Sequence, residues 1–181
     1  VHMAIATSLE SRAEHRDVYV PAHEAGMAHR SYLSPDGKWV LIVEMDERFN
    51  WTPCRLTPFD GSSAGRPGGP PDAACTAAAW SPDGKWMYLS TNAGGAFHLW
   101  RQRFPDGKPE QLTSGPTEEE GIEVAPDGQS LVTAVGLRQR PASFHDAAGD
   151  HQVSSEGYTF NPLLYAEGRK VAYRMSNGYQ G

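Results

Sequence analysis

Gly61-Ser62-Ser63-Ala64-Gly65 has the spacing of a nucleophile elbow, in which a strained strand-to-helix turn presents a serine for acyl transfer. The required helix has nothing to form it. Arg66-Pro67-Gly68-Gly69-Pro70-Pro71 follows, and this stretch reads as a loop. Seven histidines raise metal chemistry. His23-Glu24 fails the zinc-protease pattern, because Met27 stands where the second histidine belongs. His23 and His29 flank a glycine loop, and His145 and His151 flank a loop carrying Asp146 and Asp150. A histidine–carboxylate cluster would require those loops to converge, and turn or surface positions account for them more simply. His98 reads as a strand residue in packing or at an edge. Two further sets suit recognition. Thr117-Glu118-Glu119-Glu120 is either a solvated loop or an acidic rim that steers a basic partner. Trp100 with Arg101 and Arg103 combines the residue types that anchor interfaces, although strand packing explains the tryptophan equally well. The candidate binding residues are therefore Glu118, Glu119, Glu120, Trp100, Arg101 and Arg103. No residue is assigned to catalysis, to a cofactor or to a metal.

The whole chain bounds what these residues can do. Its 181 residues suffice for one domain or two small ones, and its formal charge is −6. Non-specific nucleic-acid binding needs a basic footprint, so nucleic acid is not an expected partner. With 39% hydrophobic and 21% charged residues the composition is globular. Nineteen glycines and 14 prolines are more than helices tolerate, and short strands with tight turns use them. Cys54 and Cys75 can form at most one disulfide and lack metal-ligand spacing, which excludes a zinc ribbon. The longest apolar run, Trp39 to Val43, is strand-sized, so no membrane span is expected. Glu10, Arg12, Glu14 and Arg16 occupy the place of a secretory leader's apolar core. Val1-His2-Met3 reads as a tag scar, and residues 1–15 as a tag remnant with little order. Asn50-Trp51-Thr52 satisfies the glycosylation pattern, a weak signal by itself.

The elements that must position these residues follow from a repeat. Ser34-Pro35-Asp36-Gly37-Lys38-Trp39 recurs unchanged as Ser81-Pro82-Asp83-Gly84-Lys85-Trp86, and more weakly as Ala125-Pro126-Asp127-Gly128-Gln129. The aspartates are 47 and 44 residues apart, and an eroded copy begins at Asn161-Pro162. That period suits a four-stranded propeller blade or a helical HEAT-type repeat, and the glycine and proline content selects the blade. Proline, aspartate and left-handed glycine make a type I turn closing a hairpin, so Pro35, Asp36, Gly37, Pro82, Asp83, Gly84, Pro126, Asp127 and Gly128 are structural. The aspartates are thereby accounted for without an acid–base role. Behind each turn lies a strand apolar on both faces: Trp39–Val43, Trp86–Leu89 and Leu131–Val135. A second hairpin completes each unit, with a poor outermost strand expected in the first, around 64–71.

The turn motif with its trailing strand, and Gln111-Leu112-Thr113 at the end of a unit, resemble the TolB-like β-propeller repeat over roughly Ala28 to Met175. The run from Gly26-Met27-Ala28-His29-Arg30 through Thr117-Glu118-Glu119-Glu120-Gly121 is similar to propeller regions attached to bacterial serine/threonine protein kinases. Kinase motifs themselves are absent. The expected fold is all-β, a propeller of about four blade units at 28–72, 73–116, 117–155 and 156–181, the last completed by 16–21. The resemblance implies a non-catalytic sensing or protein-interaction module from a larger bacterial signalling protein. The alternative is a propeller hydrolase, or the gating propeller of a prolyl-oligopeptidase-type peptidase. An open arc would leave Leu33, Trp39, Leu41 and Val43 at one end, and Leu163, Val171 and Tyr173 at the other. Either the Asp17–Val20 strand joins the Val171–Met175 sheet to close a ring, or two copies associate through these ends, and association is the favoured expectation.

Overall fold

The computed structural model describes residues 3–6, 15–136, 143–146, 148–153, 158–165 and 170–176. The chain forms two compact units, Val1–Val135 and Gly136–Gly181. In the first, β1 (Met3–Ala6) pairs antiparallel with β2 (His15–Tyr19). β3 (Met27–Leu33), β4 (Trp39–Met45), β5 (Arg55–Pro58) and β6 (Arg66–Pro67) then form one antiparallel sheet in chain order. β7 (Cys75–Trp80), β8 (Trp86–Thr91), β9 (His98–Arg103) and β10 (Pro109–Gln111) repeat it. These are two propeller blades, and β11 (Glu118–Val124) with β12 (Leu131–Gly136) begins a third. The second unit contains two hairpins: β13 (Ser143–Asp146) with β14 (Gly149–Gln152), and β15 (Tyr158–Tyr165) with β16 (Lys170–Ser176). The fold is all-β as the repeat implies, and the described residues contain no helix long and apolar enough to cross a membrane. β6 has two residues, as its glycine- and proline-rich sequence predicts.

The repeated motif is a closed set of hydrogen bonds. In the first copy the Ser34 hydroxyl donates to Asp36 Oδ1 at 2.6 Å and accepts from the Trp39 N–H at 2.9 Å. Gly37 N–H donates to Ser34 O at 2.9 Å, with φ of 69° at the glycine. Ser81, Asp83, Gly84 and Trp86 reproduce the same bonds at the same side-chain distances. The neighbouring serine hydroxyl, then the Lys85 N–H, hold the Asp83 carboxyl down at about 2, and Asp36 is lowered in the same way. The third copy has Ala125 in place of serine and keeps the backbone bond and the Asp127–Gln129 contact. A β-branched residue resists a positive φ. Gly84 sits at φ 69°, whereas Gly68 lies outside that region with its nearest would-be neighbour 3.9 Å away. Gly84→Val is therefore expected to lower stability by about 1–3 kcal/mol and Gly68→Val by much less. Equal urea midpoints would contradict this.

The seam between the first two blades is the main core. Leu41, Val43, Cys54 and Leu56 pack against Cys75, Ala78, Trp80, Met87 and Leu89. Cys54 and Cys75 form a disulfide inside it, with Cα atoms 5.3 Å apart. The opposite face of β4 carries Val40 and Ile42, covered by Val18 and Tyr19 of β2. This corrects the expected end face: Leu41 and Val43 are fully buried toward the second blade. A strand apolar on both faces gives no sign of which face looks outward, and a one-residue shift exchanges them. β2 pairs with β1. It is locked at its end, where the Tyr19 hydroxyl donates to Glu44 Oε2 at 3.2 Å and Arg55 Nε donates to Glu44 Oε1. The Arg55 guanidinium lies 4.9 Å over the Tyr19 ring. Between the second blade and β11–β12 the core is Ala77, Ala79, Leu99 and Ile122. β12 departs from the expected two-sided burial. Leu131 packs inward, while Val132 is 72% exposed. Side chains of Leu163, Val171 and Tyr173 lie outside the described residues.

Candidate functional site

Alternation along β8 places Trp86 and Tyr88 on one face, and β9 brings Arg101 into register with Tyr88. The third turn supplies the facing wall. Pro82 Cδ lies 3.4 Å from the point that a Cβ on Gly128 would occupy, so consecutive turns stack proline against glycine. Between them a groove of about 570 Å³ opens, lined by Asp83, Trp86, Tyr88, Arg101, Pro126 and Asp127 among others. The Arg101 guanidinium stacks 4.5 Å over the Trp86 ring and donates through Nε and Nη2 to Glu110 Oε2 at 2.8 and 2.7 Å. Its plane is fixed and its charge is already met. Asp127 is exposed at the rim.

The corresponding positions of the first blade differ in kind. Register aligns Leu41 with Tyr88 and Leu56 with Arg101, since Leu41 pairs with Leu56 as Tyr88 pairs with Arg101. Both leucines are fully buried. The groove between the first two turns is smaller, about 310 Å³, with Phe104 in its lining. That ring stands edge-on to Trp39 at 5.7 Å and to Trp80 at 5.3 Å.

The structure separates the residues that sequence had grouped. Arg101 enters the groove. Trp100 takes the opposite face with its register partner Leu89, which belongs to the core shared with the first blade. Arg103 is exposed beyond the groove. The acidic run lies within β11 and divides likewise. Glu118 accepts from the Phe97 N–H at 3.4 Å, and Glu120 is exposed. Glu119 is only 4% exposed. It accepts from the hydroxyls of Thr113 at 2.7 Å and Thr117 at 3.1 Å, and His98 Nδ1 lies 3.0 Å from its Oε2. Sequence gave no sign of this pairing, which crosses between blades. Burial pushes the Glu119 carboxyl up, but the bonds from Thr113, His98 and Thr117 together hold it below its usual range. A depressed folded value stabilises above the ordinary carboxylate pKa of about 4.3 and is lost as pH falls through the folded value. Wild type is expected to melt higher than Glu119→Gln at pH 7, the gap narrowing as the pH falls below the ordinary carboxylate range. Parallel melting curves across that range would refute it.

The remaining motifs have structural partners. Ser63 sits in the β5–β6 connection, its carbonyl accepting from Thr57 Oγ1 at 3.0 Å and its hydroxyl accepting from the Gly65 N–H at 3.3 Å. No helix follows it, so the elbow geometry is not formed. His23 stands 3.7 Å from Glu47 at the surface, and His29 packs edge-on to Trp51 at 5.1 Å. Backbone register sets His145 opposite Asp150, but the side chains of His145, Asp146 and Asp150 are outside the described residues. Among the described residues no three or more His, Cys, Asp or Glu side chains are grouped to hold a metal. The Asn50 amide donates to Asp46 Oδ2 at 3.1 Å.

No family model and no curated protein matches this chain. Solved structures do. The crystal structure of TolB from Acinetobacter baumannii is 16% identical, with a TM-score of 0.55, over 87% of this chain and 39% of that one. A putative TolB from Agrobacterium tumefaciens is 14% identical, with a TM-score of 0.33, over 88% of this chain and 83% of that one. The chain thus spans 39% of the length of the first, and the likeness to it carries the TolB-like propeller fold.

Proposed function

We propose that this chain is a non-catalytic β-propeller module that binds a protein or peptide partner, with the groove between its second and third turns as the contact surface. One observation carries the reading. Where the first blade has the buried Leu41 and Leu56, the second presents Tyr88 and a stacked Arg101 beside Trp86 in an open groove. Tryptophan, tyrosine and arginine dominate binding hot spots because they combine large contact area with a polar handle. The reading extends to a module of a larger bacterial signalling protein. The resemblance of Gly26–Arg30 and Thr117–Gly121 to kinase-attached propeller regions supports that extension. Val132 and Val135, 72% and 62% exposed, favour a second contact with another copy of the chain, which light scattering over a concentration series tests.

A random peptide library displayed against the chain tests the main reading. Selected peptides are expected to bind Trp86→Ala and Arg101→Ala at least about tenfold more weakly, with folding of both variants verified by their melting curves. Selected binders indifferent to both substitutions would overturn it.

A further inference from the structure

We infer that Cys54–Cys75 is a redox latch gated by the seam it crosses. A dithiol reductant reaches the bond only while the first two blades stand apart, and reduction then leaves them less tightly joined.

The bond lies between sheets rather than within one. Cys54 leads into β5, the third strand of the first blade, and Cys75 opens β7, the first strand of the second. Both residues have zero exposure. Leu41, Val43 and Leu56 of the first blade and Trp80, Met87 and Leu89 of the second share their apolar cluster. Exchange needs direct access to a sulfur. A thiolate of the reductant attacks one sulfur and frees the other cysteine as a thiolate. The reductant's second thiolate then displaces the first cysteine. The reductant leaves as a disulfide, and the two cysteines take up two electrons and two protons. A closed seam blocks the first step, because an apolar cluster admits neither the reagent nor its charge.

The seam can part without the sheets unravelling. Within each blade, ladders of backbone hydrogen bonds tie the strands. Across the seam the polar ties are single bonds. Among them, Arg30 Nη1 donates to Thr76 O at 3.2 Å, Trp80 Nε1 to Tyr32 O at 3.0 Å, and the Gly69 N–H to Gln102 Oε1 at 2.7 Å. Parting the blades therefore costs less than opening either sheet. The chain has two cysteines, so this seam alone carries such a bond. In the next seam, strand register and the turn repeat put Leu99 and Glu119 at the positions of Cys54 and Cys75. There the Glu119 carboxylate accepts from the Thr113 and Thr117 hydroxyls, bonds that a thiol does not cut. Reducing conditions thus loosen one junction and spare the other.

The test follows reduction of the intact oxidised chain by dithiothreitol. Iodoacetamide stops the reaction, and mass spectrometry counts the alkyl groups gained by the cysteines. In buffer, reduction is expected to run at least about a hundredfold slower than in concentrated urea. Leu41→Ala and Ile42→Ala each truncate a fully buried side chain, on opposite faces of β4. Leu41→Ala is expected to speed reduction at least about tenfold, and Ile42→Ala, which thins the contact with β2, less than about threefold. The Trp80 indole N–H crosses the seam, so its hydrogen exchange is expected to quicken at least about tenfold once the bond is reduced. Equal speeding of reduction by the two variants would place exposure in global unfolding and overturn the gate. Reduction in buffer at the unfolded-chain rate would do the same, and that comparison needs neither variant to fold. An unchanged Trp80 exchange rate would overturn the latch.

Discussion

Replacing Cys54 and Cys75 together by alanine is expected to lower stability by about 3 kcal/mol. The pair closes a loop of 21 residues and lies at zero exposure within the first seam. Without it the unfolded chain regains the freedom of that loop, and the folded seam loses two packed sulfurs. Urea unfolding followed by tryptophan fluorescence reads the effect directly, because Trp39 and Trp80 border the seam. Wild type in strong reductant should approach the double variant. Coincident midpoints for oxidised wild type and the variant would show that the bond adds nothing.

Gly65→Ala should cost as much or more, through sterics. Gly65 has φ of 71°, and a Cβ there would stand 2.1 Å from the Leu56 carbonyl oxygen and 2.7 Å from Thr57 Cα. Both are backbone atoms of β5, so relief requires the β5–β6 hairpin to open. The Arg55–Ala64 and Gly68–Cys54 hydrogen bonds span that hairpin and would be strained with it. Gly94 is the control, with φ of 101° and nothing within 4 Å of its would-be Cβ. Gly94→Ala carries only backbone strain, about 1–3 kcal/mol, and Gly65→Ala adds the collision. Similar melting temperatures for the two variants would mean that the hairpin relaxes freely.

How much of this was legible in the sequence depended on distance along the chain. The turns were readable because Ser34, Asp36, Gly37 and Trp39 complete their bonds within six residues, and their repetition signalled blades. The facing of β4 was not, because Val40 to Val43 are apolar without interruption and alternation has nothing to mark. The Cys54–Cys75 bond was permitted by sequence but not required by it, since only the stacking of one blade on the next brings β5 and β7 together. Glu118, Glu119 and Glu120 look alike in sequence, and strand geometry makes one of them interior. The groove was least visible. Arg101 and Trp86 come from one blade and Asp127 from the next, and local pattern does not reveal the space between two turns.

The bond between the first two blades also shapes how the chain bears tension. A pull on the termini peels a sheet strand by strand, and each freed residue adds length to the tether. Load reaching Cys54 passes through the sulfurs to Cys75, so residues 55–74 between them are bypassed. About 70 Å of contour stays hidden at a fully extended length near 3.4 Å per residue. β6 lies inside the bypass and never carries force. Cutting the sulfurs would release that slack in a single step and turn a rigid junction into an extensible one.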